Sequence, residues 1–167
     1  MFNKLLIIKN SFLFILKSLY FLFIILFFSC QNLSNISSLS VHAFRLKPGQ
    51  LLKEEIQKIV VEKQVKAGWI STCVGSLTQY NVRFANKPVS FKGNGHFEIV
   101  SLTGTVSING SHLHIAISDS TGKTVGGHLL DSNMVFTTAE TVILYTNDVE
   151  FKREKDGTTD WEELQIK

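Results

Sequence analysis

"NGSHLHIAISDSTGKTVGGHLLD", residues 109–131, holds three of the five histidines in this 167-residue chain. Apolar and polar residues alternate over 112–118, the pattern of a half-buried β-strand, because successive strand side chains point to opposite faces. His112, His114, Ala116 and Ser118 then share one face, and Leu113, Ile115 and Ile117 share the other. The apolar side belongs to a core, so both imidazoles point away from it together. Ser120-Thr121-Gly122 reads as a three-residue hairpin loop with Gly122 in the left-handed position. Asp119 then faces Lys123, and counting back along both arms sets His114 opposite His128. Parity matters here, since a loop of even length would turn His128 to the other face. Upstream, Asn109-Gly110 reads as a two-residue type I′ turn that pairs Ser107 with His112 and Thr105 with His114. The polar face so built holds Thr105, Ser107, His112, His114, Ser118 and His128. Its reverse holds Val106, Ile108, Leu113, Ile115, Ile117, Val125 and Leu129. Gly126 and Gly127 suit a bulge or the close approach of a neighbouring strand.

Directly opposed strand residues lie ~4.5–5.5 Å apart at Cβ, and tetrahedral zinc holds imidazole nitrogens at ~2.0–2.1 Å. Three rings from adjacent strands can therefore meet on one ion. The alternative is three uncoordinated histidines on a half-exposed polar face. Three neutral nitrogen donors with an open fourth position favour zinc or another divalent transition metal, with iron, nickel and copper also compatible. The open position suits a water or a substrate oxygen. Glu98, Glu140, Arg45 and Arg83 are candidates for a fourth ligand, a general acid or base, or an anion clamp. For each, a salt bridge or an edge position is the first reading and a site role the second; Glu140 leads because "TTAE" follows the GGH strand closely. "TGKT" at 121–124 is not a phosphate loop: Ile117 stands where its first glycine belongs, and the segment joins two strands. His42 and His96 read as ordinary surface or satisfied histidines, and no cofactor other than a metal is indicated.

Outward from this stretch, 41–46 alternates as a first strand, and "KPGQ" breaks it. Leu52, Ile56, Ile59 and Val60 recur at helical spacing, predicting a helix over 51–67 with Gly68 as its stop. Beyond Gly68 the period changes to two. Strands are expected over 69–76, 78–85, 97–102, 105–108, 112–118, 124–130, 135–145 and 149–153, with turns at "KGNG", "NG", "DSTGK" and "DSN". Connections this short cannot make parallel crossovers. The fold class is therefore α+β, a mainly antiparallel β-sheet with one principal packed helix, forming a single domain over 41–167.

Residues 1–29 form an apolar block. Lys4 and Lys9 precede a hydrophobic run at 19–28, which meets Ser29 and Cys30. That is the layout of a signal peptide, and "FFSC" has the look of a loose lipobox with Cys30 as a lipid-carrying residue. An uncleaved anchor, or a start codon assigned too early on a cytosolic protein, are the alternatives. A polar tether over 30–40 follows. On the first reading the domain is exported, either periplasmic or anchored to a membrane through Cys30. The chain has 17 basic and 14 acidic residues, and removing Lys4, Lys9 and Lys17 leaves 14 of each. A balanced mature charge disfavours nucleic acid as a partner, because phosphate binding draws on clustered Lys and Arg. Of the two cysteines, Cys73 sits within an expected strand and reads as a buried, inert thiol.

"GSHLHIAISDSTGKTVGGHL…VFTTAE" resembles the plant and prokaryote conserved (PPC) domain family. "RLKPGQ" at 45–50, "VGSL" at 74–77, "FEIVSLTGT" at 97–105 and "FKREKDGTTDWEEL" at 151–164 extend the resemblance in order. It implies a PPC-like α+β protomer, assembly into a homotrimer, and a metal on His112, His114 and His128. The family carries a DNA-binding label from plant members with AT-hooks, and no Arg-Gly-Arg core occurs here. "DGTTDWEEL" departs from the family's Thr-Gly pair before Glu-Leu, which puts a terminal turn in doubt. The HxH pair and "GGHLLD" are also similar to acetolactate decarboxylase, a zinc enzyme of related fold, implying a metal-dependent lyase or hydrolase as one outcome. The catalytic arginine and glutamate of that enzyme have no placeable match in this chain. Three functions therefore stand open: a metal site that acts on or senses a small ligand, a metal-dependent lyase or hydrolase, and a DNA- or protein-binding module.

Overall fold

The computed structural model describes residues 38–167. The leader over 1–29, Cys30 and all but the last three residues of the tether over 30–40 lie outside the described residues. The elements are β1 (Ser40–Leu46), α1 (Leu52–Glu62), β2 (Ala67–Arg83), β3 (Phe91–Ser107), β4 (Gly110–Ser118), β5 (Thr124–Leu129), β6 (Met134–Thr146), β7 (Phe151–Glu154) and β8 (Glu163–Ile166). Six strands make one antiparallel sheet in the order β1-β6-β2-β3-β4-β5, and β7 and β8 make a separate hairpin. The fold is α+β, mainly antiparallel sheet with a single packed helix among the described residues, as the short connections predict.

Helix α1 stops earlier than its periodicity implies. Gln64 takes a left-handed φ of 53°, and its N–H and that of Val65 donate to the carbonyls of Val61 and Val60, both at 3.0 Å. Buried Val65 anchors this closing turn, so the chain has already left the helix before Gly68, which lies inside β2. Leu52, Ile56 and Val60 form a stripe four residues apart and are fully buried. Each such aliphatic side chain contributes roughly 1.5–3 kcal/mol through burial. They join Val106, Leu113, Ile115, Ile117, Leu129 and Ile143 in one core cluster.

The sheet's long strands correct the expected segmentation. Strands expected separately over 69–76 and 78–85 are one strand, β2, and those over 97–102 and 105–108 are one strand, β3. The expected break in β2 survives as a register shift between Leu77 and Gln79. "KGNG" is not a turn. Gly93 faces Tyr80 across the β2–β3 pair, and a Cβ there would lie 2.4 Å from the tyrosine ring. Glycine there leaves room for the Tyr80 ring to lie across the strand pair, and the turn falls over 84–90. Bulges let β2 bend. Its far end reaches β5, with Val82 opposite Leu129 and Arg83 opposite His128. Strands β2, β3, β4 and β5 are consequently paired in a closed ring.

Candidate metal centre

The β4–β5 hairpin has the register derived from its loop. His114 lies opposite His128 and Ser118 opposite Thr124, with no slip between them. The Asp119 N–H donates to the Lys123 carbonyl at 3.0 Å, and Gly122 has a φ of 81°. Gly126 and Gly127 therefore make no bulge. Gly127 serves the close-approach alternative: a Cβ there would sit 2.6 Å from the Arg83 carbonyl oxygen, so its absence lets β2 pair with β5.

The upstream turn differs from the type I′ expectation. Ser107 pairs with Gly110, Thr105 with His112 and Thr103 with His114, so Ile108 and Asn109 are the turn residues. Asn109 does not take the positive φ that a type I′ turn needs, and Gly110 does, at 118°. The shift is two residues, which preserves parity and leaves the polar face polar. Two rows of paired residues then cross it. One runs Trp69–Thr105–His112, and the other Thr103–His114–His128–Arg83.

Convergence follows from those rows. Ring centroids of His112 lie 5.0 Å from those of both His114 and His128, and His114 and His128 are 5.6 Å apart. One nitrogen from each ring falls within 4.8 Å of the other two, and Nε2 of His112 lies 3.2 Å from Nε2 of His114. Two ligands bound tetrahedrally at ~2.05 Å stand roughly 3.3 Å apart, so that pair already has the spacing of coordinated donors. Nδ1 of His128 is buried with no hydrogen-bond partner among the described residues, and such an atom stays uncompensated unless something in the cleft satisfies it. The donor set fits a divalent transition metal.

Burial and nearby positive charge lower the basicity of two of the donors, His112 and His128. Burial, then the positive charges of His112 and Arg83 beside it, pushes His128 down to about 4. His112 is lowered chiefly by burial and then by Arg153, while Glu163 pulls it back up. Arg153 is itself lowered by burial against the opposing pull of Glu163. A metal competes with protons for these nitrogens, so depressed basicity extends binding toward acid.

Arg83 joins the cleft and the two candidate glutamates do not. Arg83 lies opposite His128, and its guanidinium sits 4.7 Å from the Trp161 ring centre. Glu140 is exposed on β6 between Arg45 on β1 and Val74 on β2. Glu98 faces Ser118, four residues and so ~13 Å along β4 from His114. Neither they nor Arg45 line the cleft of about 760 Å³ that opens over the three histidines. Its other walls come from a segment that strand periodicity barely marked. The β7–β8 hairpin is held over the polar face by Asn109 Nδ2 donating to the Phe151 carbonyl at 2.9 Å, and by Arg153 Nη2 donating to Thr105 Oγ1 at 2.7 Å. Arg153, Trp161 and Glu163 thereby enter the site. Strand β8 was not anticipated, since "ELQI" is four residues long and half charged or polar. Arg153 ended an expected strand, but nothing local ties it to histidines forty residues earlier.

A sequence model of the Plants and Prokaryotes Conserved (PCC) domain matches residues 34–147. The chain belongs to that family. This is the PPC family under its other abbreviation. The matched segment contains all three clustered histidines and ends before β7. Over 129 residues the PCC chain is 37% identical to the bifunctional protein GlmU of Synechococcus sp. (strain JA-3-3Ab), covering 77% of this chain and 21% of that protein. It thus spans about a fifth of the length of the curated relatives it matches. A hypothetical protein from Salmonella cholerae-suis of known structure is 37% identical, with a TM-score of 0.77 over 80% of this chain and 96% of that one. A protein from Archaeoglobus fulgidus, described as metal-containing, shares the fold at 22% identity, with a TM-score of 0.68 over 78% of this chain and 99% of that one.

Proposed function

We propose that this PCC domain binds one divalent transition metal, zinc foremost, on His112, His114 and His128, and that a small ligand reaches the ion from the cleft. The observation that carries this is the meeting of three imidazole nitrogens within 4.8 Å from two hairpin strands. Three protein ligands leave a coordination position open, as in catalytic rather than structural zinc sites. When bound, the ion would supply Lewis acidity toward an oxygen of the ligand. The protein's own part is to hold neutral rings at fixed spacing. Arg83 and Arg153 stand ready beside them, and the β7–β8 hairpin shields one side from water. Metal analysis of the purified full chain tests the proposal. One equivalent in the wild type, lost in both His112→Ala and His128→Ala, is the expected result. A wild type with no metal after zinc loading and dialysis refutes it.

Assembly and location extend the same reading. Val41, Leu144 and Trp69 form a paired row across β1, β6 and β2 on the polar face's own side of the sheet, and Val41 and Trp69 are exposed. Self-association as a homotrimer would cover that row, and light scattering at three protomer masses is the expected result. An exported form anchored through Cys30 would partition with membranes and be released by Cys30→Ala.

A further inference from the structure

Neither of the two arginines at the histidine cluster is closed off by a salt bridge, although the charge of Glu163 reaches Arg153. Arg83 is the cross-strand partner of His128, and Arg153 is bonded to Thr105, the cross-strand partner of His112. Arg83 thus stands directly across from one clustered histidine, and Arg153 reaches another through one intervening residue. Their positions are set by neutral contacts, the Trp161 ring for Arg83 and the Thr105 hydroxyl for Arg153. Among the described residues neither forms a salt bridge; the ion pairs there use Lys53, Lys58, Lys152 and Lys167. A half-buried arginine with no salt bridge can take an anionic ligand, because the planar fork matches a carboxylate in two parallel hydrogen bonds.

We infer that Arg83 and Arg153 form a subsite for a small organic carboxylate whose charged end lies beside the three-histidine centre. The inference rests on the metal-site reading for its location, and on the arginines for its chemistry. Apart from the ion, the subsite's own side chains match a monoanion. Arg83, Arg153 and Glu163 are the half-buried charged groups lining the cleft, an excess of one positive charge, while Lys155, Asp160 and Glu162 are exposed at its rim. Glu163 is occupied by the Thr159 hydroxyl at 2.7 Å and would repel the second charge of a phosphate dianion. The organic part has an apolar wall available: Trp161 is 60% exposed at the cleft, and Leu130 and Pro88 also line it.

Benzoate, its neutral isostere benzamide, and inorganic phosphate are the probes. Binding to the purified full chain is read from tryptophan fluorescence in a Trp69→Phe background, which leaves Trp161 as the chain's one tryptophan. Metal content is measured on the same samples. Benzoate is expected to give a saturable change, weakened at least tenfold in Arg83→Gln and in Arg153→Gln, with benzamide at least tenfold weaker in every form. Both arginine variants are expected to keep the wild-type metal content. Benzoate binding without metal would sink the metal reading and leave the subsite standing. Metal without benzoate binding, benzamide as tight as benzoate, phosphate as tight as benzoate, or arginine variants that bind benzoate like wild type would each overturn the subsite.

Discussion

Gly127→Ala changes one hydrogen for a methyl group and tests how the ring of strands holds His128. The new Cβ would lie 2.6 Å from the Arg83 carbonyl oxygen, whereas ordinary contacts begin near 3.4 Å. The obstacle is backbone on a paired strand, so it cannot rotate away, and β5 and β2 must separate by about 0.8 Å, the gap between those two distances. Overpacking of this kind costs about 1–3 kcal/mol. In a domain of this size that lowers Tm by on the order of 5–10 °C. His128 is the next residue and is itself paired with Arg83, so the displacement falls on one of the three donors. Metal sites tolerate ligand distances only within about 0.2 Å, and displaced supports typically cost 10–100-fold in affinity. Gly126→Ala is the control, because its Cβ would meet the Ile115 carbonyl oxygen at 3.0 Å and ask for a few tenths of an ångström. Thermal denaturation and zinc titration calorimetry on the three proteins decide the matter. A Gly127→Ala protein that melts with wild type refutes the close-approach account. One that melts early yet binds zinc normally shows that the β2–β5 pairing does not position His128.

Two further outcomes follow from the same region. In metal-free protein His128 titrates at about 4 when folded and near ~6.5 when unfolded. The unfolded chain therefore binds the proton more readily, and this contribution to stability, full above pH 6.5, is lost as pH falls from 6.5 through 4. Urea midpoints should drop between pH 7 and pH 4.5, with a smaller drop in His128→Gln, and equal drops would remove the burial argument. Asn133 is fully buried, its Oδ1 accepting the Asn81 N–H at 2.8 Å and its Nδ2 donating to the Asn81 carbonyl at 3.2 Å. Asn133→Ala leaves that β2 amide unsatisfied next to Val82 and Arg83. A loss of about 1–3 kcal/mol in chemical denaturation is expected, and an unchanged midpoint would show that β2 finds another partner.

The histidine hairpin was legible because its geometry is local. Alternation over 112–118 assigns faces, and Gly122 in an odd loop sets parity, so only the count between two strands was needed to oppose His114 and His128. The Asn109-Gly110 turn misled by two residues for the same reason: a dipeptide signal names a turn type, but Gly110 satisfied its left-handed requirement one place after the turn. Even lengths of error leave faces intact, which is why the polar face survived. Continuous β2 and β3 were harder, since Gly93 carries turn chemistry while Tyr80, on the partner strand, dictates its real use.

What the pattern could not supply is the wall over the site, and the cause is physical. Arg153, Trp161 and Glu163 reach the histidines through hydrogen bonds from Asn109 and Thr105 to a separate hairpin, contacts spanning more than forty residues that leave no period in the chain. Glu140 looked closer in sequence, yet β6 pairs on the far side of β2, with β1, and carries it away. The division has a consequence for function. The three donors belong to the β4–β5 hairpin that the family model covers, whereas Arg153 and Trp161 come from the β7–β8 hairpin beyond the matched segment. On the proposed reading, the metal donors lie within the matched segment together with Arg83, and the rest of the ligand subsite comes from the chain beyond it. Substitutions in β7–β8 should alter which small molecule binds while leaving the ion in place, because no nitrogen that could hold it comes from that hairpin.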